Sequence, residues 1–224
     1  MKAIIFDRDG TLLDFSDMFL RFIHDICEQQ DVSPESDETI LSYAFWDQIV
    51  SQEMCIGKIR IRDHLDDIPN KYMHLGKLYP GVAEAVLELR EMGFQMAIVS
   101  GWVGTSSTHA LIERKGLSGC FDCILTQDDM NGSRLANSNN PGSTPVKTWL
   151  QKQALSYLGT RSDEVLVVGD APDDVMTANH LNLKSVAVMT GNSQKLRSAI
   201  AELEPDWIVE SVANLPEILA GLQN

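Results

Sequence analysis

Short apolar runs alternate with amphipathic stretches along most of this chain, and the apolar runs are of strand length. Ala3–Phe6, Met96–Val99, Cys123–Thr126, Glu164–Val168, Ser185–Met189 and Trp207–Val209 are too short for helices and rich in strand formers. Ala3–Phe6 reads as a strand buried on both faces, Met96–Val99 as a buried strand, and Glu164–Val168 is the strongest strand signal of the six. Between them the spacing turns helical. Val82–Met92 carries Ala85, Val86 and Leu89 on one face and ends at Gly93. Further helices are predicted over Ser107–Lys115, from Pro145 to about Leu158, over Ser193–Leu203 and through Leu215–Leu222. Strands alternating with helices imply an α/β fold, a Rossmann-like, doubly wound parallel sheet.

The alternation fails between Leu13 and Leu78, where no strand pattern appears. Phe15, Met18, Phe19, Phe22, Ile23 and Ile26 recur at helical spacing, which predicts a helix over about Asp17–Gln30. Ser33-Pro34 is a start signal for a second helix carrying Ile40, Leu41, Ala44, Phe45, Ile49 and Val50. A third segment, Ile59–Met73, is basic and then acidic. The expected division is a sheet domain from residues 1–14 and 79–224, with an all-helical unit inserted at 15–78. The segment 127–144 reads as a polar loop, long for a compact domain and of the kind that is functional or mobile.

Charge narrows the partners. The 224 residues carry a net charge of −14, which argues against nucleic acid or an anionic membrane as partner. An anionic substrate would need a local positive site made by a metal, a lysine or backbone N–H groups. The four cysteines lack the spacing of a disulfide framework, and Cys120-x-x-Cys123 has no second pair to complete a zinc site. Asp7 interrupts the first apolar run, so no signal peptide is expected, and no stretch approaches a membrane span. The expectation is a cytoplasmic protein, monomeric or homodimeric.

Candidate chemistry sits where the strands stop. Ala3–Phe6 runs into Asp7-Arg8-Asp9-Gly10-Thr11, Met96–Val99 into Ser100-Gly101, and Glu164–Val168 into Gly169-Asp170-Ala171-Pro172-Asp173-Asp174. Parallel strands bring these ends to one sheet edge, where open α/β sheets bind ligands. Taken singly, Ser100 and Asp174 read equally well as helix caps. Together, four carboxylates at one edge would repel one another without a divalent cation, and hard oxygen ligands select magnesium. A calcium loop is excluded: counted from Asp7, the glycine falls at position 4 and position 12 is Met18.

The order and spacing of these motifs resemble the haloacid dehalogenase superfamily, in its phosphoglycolate phosphatase-like branch with a helical cap after the first motif. Leu78-Tyr79-Pro80-Gly81-Val82 and Val186-Ala187-Val188-Met189-Thr190-Gly191 resemble that branch as well. The resemblance implies a Mg²⁺-dependent phosphatase acting on a small phosphorylated metabolite. It makes Asp7 the nucleophile, Asp9 the general acid/base, and Ser100 and Gly101 phosphate-binding. Asp7, Asp9, Asp170 and Asp174 form the implied metal site. A phosphomutase, or a non-catalytic phosphate-binding protein, would carry the same fold. Asp9 itself argues for phosphate chemistry, because dehalogenases proper lack it.

Two departures stand out. Arg8 occupies a position that is usually apolar in this branch, and related sugar bisphosphatases often carry Arg there. The usual lysine followed by two prolines is missing from 127–144. Among Arg134, Lys147 and Lys152, Lys147 is expected to supply the phosphate-binding cation, because it follows Pro145 in the first turn of a helix starting at the same edge. The alternative for Lys147 is a solvated helix terminus. Lys58, Arg60 and Arg62, beside Gly57, read either as substrate contacts from the insert or as a solvated face paired with Asp63, Asp66 and Asp67.

Overall fold

Strand β1 (Ala3–Asp7) is buried along its whole length because it runs near the middle of a six-stranded parallel sheet. The others are β2 (Gln95–Val99), β3 (Cys123–Leu125), β4 (Val165–Gly169), β5 (Lys184–Val188) and β6 (Trp207–Val209). Their order is β6-β5-β4-β1-β2-β3, and each neighbouring pair is parallel. The computed structural model describes residues 1–130, 143–191 and 193–222. The chain divides into two units, Met1–Asp14 with Leu78–Asn224, and Phe15–Lys77.

The helices are α1 (Ser16–Gln29), α2 (Asp37–Ile40), α3 (Tyr43–Ser51) and α4 (Asp67–Lys71) in the insert. In the sheet unit they are α5 (Val82–Glu91), α6 (Thr105–Arg114), α7 (Ser143–Leu158), α8 (Pro172–Leu181), α9 (Ser193–Glu202) and α10 (Leu215–Leu222). Successive strand residues point to opposite faces, and the core sorts accordingly. Ile4, Phe6, Met96, Ile98, Leu166 and Val168 pack with Val86 and Leu89 of α5 and with Leu215 and Leu219 of α10. Ala3, Ile5, Ala97, Val99, Val165 and Val167 pack instead with Val146, Leu150, Ala154 and Leu158 of α7. The sheet is therefore covered on both sides. Each fully buried Ile, Val or Phe contributes roughly 1.5–3 kcal/mol, so β1 is pinned from both faces.

Register brings the strand ends level. Asp7 pairs with Val99, and Phe6 with both Ile98 and Val168. Ser100 and Gly169 thus follow within one residue of Asp7's level. By the alternation, Asp7 shares a face with Ala3 and Ile5, the face covered by α7.

In the insert, α1 buries Met18, Phe19, Phe22, Ile23 and Ile26. Phe19 packs edge-on against Phe45 and Trp46, and Phe22 against Tyr72. Two sequence expectations change here. The helix expected from Ser33-Pro34 onward starts only at Asp37, and it divides into α2 and α3. Ser36 caps the first by accepting the Thr39 N–H at 3.2 Å. Ser42 breaks the continuation by accepting the Phe45 N–H at 3.2 Å and donating to the Thr39 carbonyl at 2.7 Å. A serine hydroxyl that bonds its local backbone competes with the helix ladder. The insert is also not wholly helical. Cys55–Ile56 and Ile59–Arg60 form a two-residue antiparallel ladder across Gly57-Lys58, with Gly57 at φ +57°. Two-residue strands are too short for an alternation to be visible. Among the described residues no helix is long and apolar enough to cross a membrane.

Candidate active site

At the carboxyl end of β1 the Asp7 carboxylate is buried, with 6% of the residue exposed. One carboxylate oxygen from each of Asp7, Asp170 and Asp174 lies within 4.8 Å of the others. Thr11 donates to both Asp7 and Asp170 at 3.4 Å. Lys147 reaches this cluster from α7. Its Nζ is 2.9 Å from Asp7 Oδ1 and 2.7 Å from Asp174 Oδ1. The alternative of a solvated helix terminus is thereby removed, since Lys147 is only 7% exposed.

One detail of that lysine differs from expectation. Helix α7 begins at Ser143, so Lys147 lies just past the first turn and Pro145 sits inside it. Proline fits there because first-turn N–H groups have no intrahelical partner. Thr144 Oγ1 donates to Asp173 at 2.8 Å, tying the start of α7 to that of α8 and setting Lys147 opposite Asp174. Residues 131–142, which hold Arg134 and most of the expected polar loop, lie outside the described residues. The first part of that loop, Gln127–Met130, is a 3-10 turn.

Glycines shape the cradle around the acids. Gly10, at φ +83°, has Asp170 Oδ2 2.3 Å from where a Cβ would stand, and Gly169 has Asp174 Cγ at 2.2 Å. Neither position has room for a side chain. Gly101 faces the stem of Lys147, with Cγ 3.4 Å from its own Cβ position.

Charge in this cluster does not balance internally. Burial pushes the Asp7 carboxyl well above the usual range; Lys147 opposes that, while Asp174, Asp170 and Asp9 add to it. Burial alone would lower Lys147, but Asp174 and Asp7 outweigh it and hold the ammonium above its ordinary value. One ammonium against three buried carboxylates leaves two negative charges over, the charge of one divalent cation. The donors are all hard oxygens, so the cluster fits a magnesium ion.

Asp9 stands apart from the cluster. The fourth carboxylate of the expected metal site turns instead to Arg8, whose Nε donates to Oδ1 at 3.1 Å and to Oδ2 at 2.9 Å. Ser100 Oγ donates to Asp9 Oδ2 at 3.1 Å and accepts the Trp102 N–H at 3.2 Å. Ser100 is not a helix cap, since α6 starts five residues later, at Thr105 behind Gly104. Asp174 is a cap and a cluster member at once: Oδ2 accepts the Ala171 N–H at 3.2 Å while Oδ1 meets Lys147.

The two further stretches of family resemblance also meet this edge. Thr190 Oγ1 donates to the Gly10 carbonyl at 2.6 Å, and Tyr79 Oη accepts the Gly191 N–H at 3.2 Å. Thr108, which bonds Arg8, is a hundred residues from it in sequence, and nothing in the text of α6 marks it. In the insert, Arg60 pairs with Asp63 at 2.8 Å and Glu53 at 3.4 Å, and Arg62 approaches Glu53 at 3.9 Å. Cys120 and Cys123 are buried free thiols, and burial pushes Cys123 up to about 11.

The family model for haloacid dehalogenase-like hydrolases matches residues 4–188. The chain is 26% identical to the pyrophosphatase PpaX of Anoxybacillus flavithermus, over 98% of this chain and 97% of that one. It is 24% identical to a phosphoglycolate phosphatase of Vibrio parahaemolyticus, over 98% and 96%. In fold it is similar to a haloacid dehalogenase-like hydrolase from Streptococcus pneumoniae, with a TM-score of 0.72, 21% identity, and coverage of 100% and 99%. With the family model spanning all three strand-end motifs, this chain belongs to the haloacid dehalogenase-like hydrolases.

Proposed function

We propose that this chain is a magnesium-dependent phosphatase that hydrolyses a small phosphorylated metabolite through an aspartyl-phosphate on Asp7. The observation that carries the reading is the separation of two carboxylates only two residues apart. Asp7 is held in a buried cluster with Lys147, Asp170 and Asp174, whereas Asp9 is turned away and gripped by Arg8 and Ser100. Two acids in different environments take different roles.

Asp7 attacks phosphorus, and the bond to the leaving oxygen breaks as the Asp7–phosphorus bond forms. Asp9 gives that oxygen its proton. Water then attacks the same phosphorus, Asp9 takes the proton, and inorganic phosphate and free Asp7 result. Lys147 and Ser100 cover the phosphoryl oxygens, as fixed donors do where charge builds up in transfer. Held by Asp7, Asp170 and Asp174, a magnesium ion would supply the remaining positive charge against which a carboxylate approaches a phosphate dianion.

The named activities of the two relatives support phosphate esters or pyrophosphate as the substrate class. The test is phosphate release from p-nitrophenyl phosphate with magnesium, followed by a panel of small phosphorylated metabolites. An inactive wild-type protein, or an Asp7→Asn variant as active as wild type, would sink the reading. A rearranged sugar phosphate formed without free phosphate would point to a mutase.

A further inference from the structure

Among the described residues Arg8 is the largest side chain to be fully buried, with 1% exposed, and the reaction above gives it no task. Its guanidinium is fixed at both ends. Toward the site, Nε bonds both oxygens of Asp9, and Nη2 approaches Oδ2 to 2.8 Å as an ion pair without hydrogen-bonding geometry. Away from the site, Nη1 donates to the Val103 carbonyl at 3.0 Å and to Thr108 Oγ1 at 2.8 Å. Thr108 is itself anchored, donating to the Gly104 carbonyl at 2.7 Å. Asp128 accepts the N–H groups of Gly104 and Thr105 at 2.8 and 3.0 Å, which locks the same turn.

We infer that Arg8 is a positioning residue for the proton-transfer group Asp9: it holds that carboxylate to the loop that carries Ser100. A buried guanidinium is costly unless paired and hydrogen-bonded, so retaining one demands something that an apolar residue could not do. A planar guanidinium whose Nε–H is shared by both carboxylate oxygens, with Nη2 2.8 Å from one of them, fixes the direction of the carboxylate as well as its distance. Ser100 bonds Asp9 Oδ2 from the same loop, so Val103, Thr108 and Ser100 set one frame around Asp9. Nη2 is buried, so Arg8 reaches substrate only through Asp9. The remaining reading is that Arg8 is a structural tie between β1 and α6.

Rates on different leaving groups separate the two roles. This inference rests on the phosphatase reading, with Asp9 as acid. A poor alkoxide leaving group needs the proton that Asp9 gives, whereas p-nitrophenolate scarcely needs it. Arg8→Met should lower kcat/KM for an alkyl phosphate by about 30- to 100-fold, within the range of a general acid, but lower it for p-nitrophenyl phosphate only about threefold. In an Asp9→Ala background the same change should cost less than about twofold, because the residue acts through Asp9. Arg8→Lys, which keeps charge but not the planar guanidinium, should recover only part of the loss. Should Arg8→Met fail to fold, Thr108→Val removes one anchor, leaves Arg8 and Asp9 in place, and should show the same leaving-group bias at about three- to tenfold.

Equal losses on both leaving groups, or a full further loss on top of Asp9→Ala, would overturn the inference while leaving the phosphatase reading intact. A wild-type protein that releases no phosphate from either ester would remove both.

Discussion

The sheet edge at Asp7 and the basic stretch of the insert use the same kinds of ion pair in opposite settings. At the edge, Lys147 meets Asp7 and Asp174 with 9% of its side chain exposed. In the insert, Arg60 meets Asp63 and Glu53 with 46% exposed. Water screens the second arrangement and competes for every hydrogen bond in it, so exposed pairs add little to stability. Around Lys147 there is almost no water to screen, and removing one partner leaves charge buried without compensation. Ion pairs of comparable kind therefore carry unequal consequences, and burial decides which pair matters.

The largest effect should come from Asp7→Asn, which removes the proposed nucleophile while keeping its size. Phosphate release should fall by about a thousandfold or more, measured in single-turnover assays with magnesium. Lys147→Ala comes next. It should cost roughly ten- to a hundredfold in kcat/KM, the loss of a charge-assisted contact. It also leaves Asp7, Asp170 and Asp174 facing one another, so the magnesium-free protein should lose roughly 3–5 kcal/mol in denaturant unfolding. Magnesium should restore part of that stability but not the rate. A Lys147→Ala protein as stable as wild type without metal would break the comparison.

A smaller loss is expected from Gly169→Ala. Its Cβ would stand 2.2 Å from Asp174 Cγ, so the acid must move, costing about 1–3 kcal/mol and raising the magnesium concentration needed for half-maximal activity. Thiol labelling offers a comparison without mutation. Cys55 is exposed, whereas Cys27, Cys120 and Cys123 are buried and burial raises their thiols. The native protein should therefore show one fast-reacting thiol of four under mild alkylation, read by mass spectrometry. The smallest effect belongs to Arg60→Ala with Arg62→Ala. Melting temperature should shift by no more than about 2 °C. An unchanged kcat/KM for the best substrate would leave these residues a solvated face, and a large fall would make the basic stretch a substrate contact.

Some of this was legible in the residues and some was not. The four inner strands announced themselves as apolar runs because a strand covered on both faces needs apolar residues at nearly every position, whereas the edge strand Trp207–Val209 reads as an apolar run although Ile208 is 41% exposed. Asp7, Ser100 and Asp170 followed from them, since a parallel sheet aligns the ends of its strands. Local chemistry was harder to read in the insert, where two hydroxyls, Ser36 and Ser42, outweighed a long helical period. The pairings of Lys147 were settled by tertiary structure. Spacing placed it near the correct edge, but only the packing of Val146, Leu150, Ala154 and Leu158 on the Ile5 face turns it toward Asp7. The division between Asp7 and Asp9 lies further beyond the sequence. Two carboxylates at i and i+2 look equivalent in one dimension. They part because one falls opposite a lysine from α7, and the other meets its sequence neighbour Arg8, whose direction is fixed by Val103 and Thr108, 95 and 100 residues away.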